Sequence, residues 1–143
     1  MAIYSLSQRT TNTTIANAAW SIISSATNKP KVMELGISQN TGTATSWGLG
    51  RPSSAGVTPT TPVNFLDEQD GAAPTANTTA CLAWTTQPGA PANFLRRVST
   101  PATIGAGIIW TFPRGLAIPI SSNLVVWNIT ASVASDCWAV IDE

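Results

Sequence analysis

A chain of 143 residues fits one domain better than two, and at that length folding buries roughly two-thirds of the surface the unfolded chain exposes. Seven Lys and Arg balance seven Asp and Glu, which excludes the basic stripe that nucleic acid needs and the polybasic segment that a membrane surface attracts. Charged residues make up only 10% of the chain against a usual figure of about 25%, so the surface must be rich in Thr, Ser, Asn and Gln or lie against another molecule.

The chain opens with MAIYSLSQRTTNTT, which lacks a basic start followed by an apolar core, so a product kept in the cytoplasm without an export signal is expected. Residues 1–12 read as a candidate N-terminal arm. No apolar run is long enough to span a bilayer. The segment from Thr14 to Ser25 places Ile15, Ala18, Ala19, Ile22 and Ile23 at helical spacing, yet its β-branched and Ser-rich character and weak capping favour a strand. KVMELGIS then puts Met33, Leu35 and Ile37 on one strand face, and TSWGLG (Thr45 to Gly50) is a short strand flanked by glycine. Residues 50–80, rich in Pro, Thr, Gly and Ala, read as a long loop region that includes the short strand VNFL. The strands ACLAWTT, NFLRRVS, GIIWTF, GLAIPI, NLVVWNIT and DCWAVID follow, separated by Pro- and Gly-bearing turns. Arg96 and Arg97 are adjacent on a strand and therefore point to opposite faces, while Arg114 in FPRG reads as part of a turn. About eight to ten short strands at near-regular spacing predict a single all-β domain over residues 1–143, an antiparallel β-sandwich or jelly roll.

Chemistry is scarce. The chain has no histidine, which removes the usual general base, every Ser-His or Cys-His pair and the commonest metal ligand. Paired carboxylates remain as a catalytic design, but Glu34 is the one carboxylate flanked by apolar strand residues, and a wet strand face is its ordinary setting. The acidic stretch LDEQDGA (Leu66 to Ala72) does not follow the spacing of a calcium loop and reads as a solvated turn. No phosphate-cradling motif follows GLGRPSSAG. Cys81 and Cys137 read as buried thiols, and the acceptor tripeptides at Asn12, Asn77 and Asn128 read as chance matches in a Thr-rich chain. No enzyme activity, cofactor or metal is expected.

The tryptophans divide by their neighbours. Trp84, Trp110, Trp127 and Trp138 lie among strand aliphatics, whereas Trp47, between Ser46 and Gly48, reads as a surface residue that a sugar ring or a partner could contact. NLVVWNIT is apolar on both faces, Leu124 and Val126 one way, Val125, Trp127 and Ile129 the other. Its second face needs a cover, either a loop of the same chain or another subunit.

The phrases MELGISQNTGTATSWGLGRP, NFLRRVSTPATIGAGIIWTFPRGLAIP and NLVVWN resemble small proteins from the structural-gene regions of tailed bacteriophages. The ending RGLAIPISSNLVVWNIT is similar to trimer-forming jelly rolls of tumour necrosis factor-like architecture, in which a return strand precedes a buried apolar strand near the threefold axis. The resemblance implies a virion protein made in the host cytoplasm that decorates or cements the capsid, with the major capsid protein or other virion proteins and its own copies as partners. A lectin-like receptor-binding module of a tail or fibre is the alternative, motivated by Trp47 and the 50–80 region. Added to the residue reading, it makes Trp110, Val125, Trp127, Trp138, Arg96 and Arg114 the candidate contacts of a homotrimer.

Overall fold

The computed structural model describes residues 2–11, 15, 17–69 and 75–143. Asn12, Asp70 and the end of the acidic turn lie outside them, as does part of the arm and of the 50–80 region. No described residue is helical. The strands run β1 (Ile3–Arg9), β2 (Ala18–Ile23), β3 (Lys31–Gln39), β4 (Thr45–Gly50), β5 (Val57–Thr60), β6 (Val63–Asn64), β7 (Leu66–Asp67), β8 (Thr79–Cys81), β9 (Ala83–Thr86), β10 (Arg96–Thr100), β11 (Gly107–Ala117), β12 (Asn123–Asn128) and β13 (Ser135–Asp142).

Four long-range pairings nest inside one another. β4 pairs with β10, β3 with β11, β2 with β12 and β1 with β13, all antiparallel. Alternate members of this rolled hairpin fall into two sheets, β11-β3-β13-β1-β7 and β10-β4-β12-β2-β8-β6, with a separate β5-β9 ribbon. Two sheets built from nested hairpin strands in this order form a jelly roll. The chain ends meet on it: Ala2 and Glu143 exchange both backbone hydrogen bonds at 3.2 Å.

Alternation explains the core. On β13, Cys137, Ala139 and Ile141 are fully buried, while Asp136, Trp138, Val140 and Asp142 alternate outward and are half-buried. The inward rows of both sheets form one cluster that includes Trp20, Ile22, Leu35, Ile37, Trp47, Leu49, Leu124, Val126 and Ile141. Each such side chain contributes roughly 1.5–3 kcal/mol by leaving water. The helical spacing noted before Ser25 has a simple origin. A bulge between Val126 and Trp127 in the β12–β2 ladder leaves Ala19 and Trp20 in the core and Ala18 on the outer face, so β2 is apolar on both sides.

Two elements differ from the sequence reading. GIIWTF and GLAIPI are not separate strands around a turn at Arg114: β11 runs from Gly107 to Ala117, and its register shifts between Thr111 and Leu116. Gly115 takes a φ of 69° within this bulge, a left-handed conformation that suits glycine. Residues 50–80 are not one loop either, because β5, β6, β7 and the start of β8 lie there. Segment 63–67 crosses from the edge of one sheet to the edge of the other and plugs the core with Phe65, which has no exposed surface.

Candidate functional site

The outer face of the five-stranded sheet carries a lateral row read directly from the register: Ser7, Trp138, Gly36 and Ile109, on β1, β13, β3 and β11. The Trp138 indole lies over Gly36. A Cβ there would fall 2.0 Å from its Cε2 and Cζ2 atoms, so glycine is what makes the position possible. The indole N–H donates to Glu34 Oε1 at 3.1 Å, which fixes the ring and gives Glu34 a structural role on the outer face. Ile109 continues the apolar surface at 53% exposure. Together with Ile37, Ile108 and the glycines at 105 and 107, Trp138 and Ile109 line an open hollow of about 480 Å³.

One wall of that hollow is the β10–β11 connection, held by a residue the sequence gave no reason to single out. Buried Gln39 donates its side-chain amide to the carbonyls of Pro101 (2.6 Å) and Thr103 (2.8 Å) and accepts from Thr100 Oγ1 at 2.7 Å. Its backbone bonds Ala106 and Gly105 as well. A buried amide satisfied on both sides fixes the loop in place. Further along β1 and β13 on the same face, Arg9 Nε meets Asp136 Oδ1 at 2.8 Å, and this guanidinium holds the Asp136 carboxyl below the usual carboxylate range.

A second hollow, of about 390 Å³, opens where the edge strands β10 and β11 lie on the same side of the sandwich. It brings together Arg96 and Arg114, two residues singled out from sequence, over a floor of Phe112, Pro113 and Leu116. The Arg96 guanidinium sits 5.7 Å from the centre of the Phe112 ring, within reach of a cation–π attraction, and donates to the Leu95 carbonyl at 2.8 Å. Arg51 approaches the same edge through a 3.0 Å bond to the Ala117 carbonyl. Arg97 points to the other face of β10, as adjacent strand residues must.

The remaining candidates are corrected. Trp47 is no surface contact: it has no exposed surface and packs in the main core beside Leu49 and Val126. Its neighbours misled because they lie on the opposite face of β4, where the Phe94 ring covers Gly48 and Ser46 bonds Ser99. Val125 and Trp127 are 0% and 1% exposed in the single chain. They belong to a second cluster with Ala18, Cys81 and Trp84, against which Ile23, Phe94 and Ile129 pack, so the chain covers the second face of β12 itself. Phe94 meets Trp127 edge-on at 5.7 Å. Neither residue offers surface to a subunit. Trp110 turns inward and packs half-buried at the margin of the core. Of the four apolar contacts proposed from sequence, Trp138 alone lies outside both buried clusters.

The thiols are poor nucleophiles here. Burial pushes Cys137 up to about 12, and burial also raises Cys81 against the hydrogen bonds it shares with Ala83, Thr60 and Leu82. No group of three metal-binding side chains occurs among the described residues. The strongest constellations on the surface are thus an aromatic platform and an arginine-lined edge, both suited to contact. No known protein family, characterised protein or solved structure matches the chain.

Proposed function

We propose that this chain is a structural protein of a tailed-phage virion that decorates the capsid through the outer face of its five-stranded sheet. The observation that carries the proposal is the Trp138–Gly36–Ile109 row, a flat apolar strip fixed by Glu34 and bordered by the hollow of about 480 Å³. Ile109, 53% exposed, lies beside a flat indole, and exposed apolar side chains grouped together suit a protein contact. The phage-like phrases and the lack of histidine chemistry support the same reading. Mass spectrometry of purified particles of the encoding phage tests it. The protein is expected in mature virions, and Trp138→Ser should lower its retention on them while the purified variant still folds. Absence from mature particles overturns the proposal.

A second reading transfers the lectin idea from buried Trp47 to Trp138, because a ring laid flat on a sheet face also suits stacking on a sugar. Saturable binding on a glycan array that Trp138→Ala abolishes, without retention on virions, would favour it.

A further inference from the structure

Although the chain has no net charge, its arginines gather at one edge, where the carboxylate of neighbouring β3, Glu34, is bonded by Trp138. Four of its five arginines, Arg51, Arg96, Arg97 and Arg114, stand on or beside β10 and β11, the edge strands on one side of the sandwich. All four are exposed. The single salt bridge among the described residues is Arg9 with Asp136, so none of these arginines is paired with a described carboxylate. On the opposite side, β7 and the residue after it carry Asp67 and exposed Glu68 at the far edge of the same five-stranded sheet. Four strand spacings of about 4.8 Å put the two edges about 19 Å apart. At that separation the two groups gain little from each other within one molecule, since salt screens exposed charges beyond about 10 Å.

Each side also pairs its charge with exposed apolar residues. Leu95 (37%) accompanies the arginines, and Val63 (40%) and Leu66 (57%) accompany the acids. The hollow between Arg96 and Arg114 has an apolar floor, which would receive an aliphatic side chain flanked by a carboxylate. The segment around Leu66, with Glu68 two residues on, presents that combination.

From this complementarity we infer that the occupant of the arginine edge is the acidic edge of a second copy, giving head-to-tail self-association. The contact joins two different patches, so its repetition closes into a ring or grows as a filament unless a two-fold axis brings both complementary pairs together in one dimer. It differs from the trimer drawn from sequence, because Val125 and Trp127 take no part. It deepens the reading of the chain as an assembling scaffold, yet the two fail separately. Self-association is measured on purified protein, whereas the decoration role is measured on particles.

The experiment uses two full-length variants, Arg96→Glu with Arg114→Glu, and Leu66→Arg with Glu68→Arg. All four positions are exposed, so neither variant removes core packing. In low salt, wild-type protein at micromolar concentration should scatter light as an assembly well above 14.9 kDa. Each variant alone should be monomeric. Mixed, they should assemble again, because the acidified edge of one now faces the basic edge of the other. Should a variant fail to fold, the wild type alone still decides. Its assembly should dissociate as salt rises toward 1 M, where screening shortens to about 3 Å. A wild-type monomer in low salt, assembly by both variants alone, or a mixture that stays monomeric overturns the inference.

Discussion

Cys137 sits between Asp136 and Trp138 in sequence but faces the opposite way, with no exposed surface and a hydroxyl, that of Ser135, 3.5 Å from its sulfur. Burial disfavours its thiolate and carries the folded pKa up to about 12, whereas an unfolded thiol ionises near 8.5. A folded pKa above the unfolded value contributes stability that is complete below the unfolded pKa and is lost as pH rises through the folded one. Unfolding free energy should therefore fall by about 1.4 kcal/mol per pH unit through the interval between those two values. Cys137→Ala should remove this thiol's share of the alkaline slope, read by urea unfolding at several pH values. An unchanged slope would show that other groups produce it. Gly36 acts by the reverse logic, since the absence of a side chain there is what lets an indole lie on the strand.

At the level of the element, β12 shows what a strand sequence reveals and what it hides. Its alternation, its ends and its two apolar faces were readable from NLVVWNIT, because side chains on a strand must alternate. The cover of the second face was not, because it comes from Cys81, Trp84 and Phe94, more than thirty residues upstream of Val125 and Trp127, and strand alternation says nothing of which distant segment lies over a face. Trp127→Ala should thus lower stability by about 3–5 kcal/mol without changing the assembled mass of the molecules that remain folded. Trp47→Ala, innocuous if the residue were exposed, should cost a similar amount because it empties the main core. A urea midpoint unchanged by either substitution would contradict these packings. β11 was misread for a related reason: Pro113, Arg114 and Gly115 have turn chemistry, but on an edge strand they form a bulge. Arg96 and Arg114 were legible as notable residues. Their convergence was not, since β10 and β11 meet through two different sheets.

For the whole molecule, nesting sets the folding problem. β1 must find β13 across nearly the full chain, so few contacts are local and folding is expected to be slow for the size. β13 is also central, lying between β3 and β1. A chain ending before Ser135 should therefore lose the whole sandwich and not merely one strand, with far-UV circular dichroism reporting no native sheet. A truncated chain that kept a cooperative thermal transition would show that the six-stranded sheet stands alone. The same β1–β13 pairing brings Ala2 and Glu143 into register, each bonded to the other through backbone. Attachments at the two ends accordingly share a single point of departure. A dye on each would report folding by energy transfer, and a cargo fused to either end would leave from one corner of the molecule.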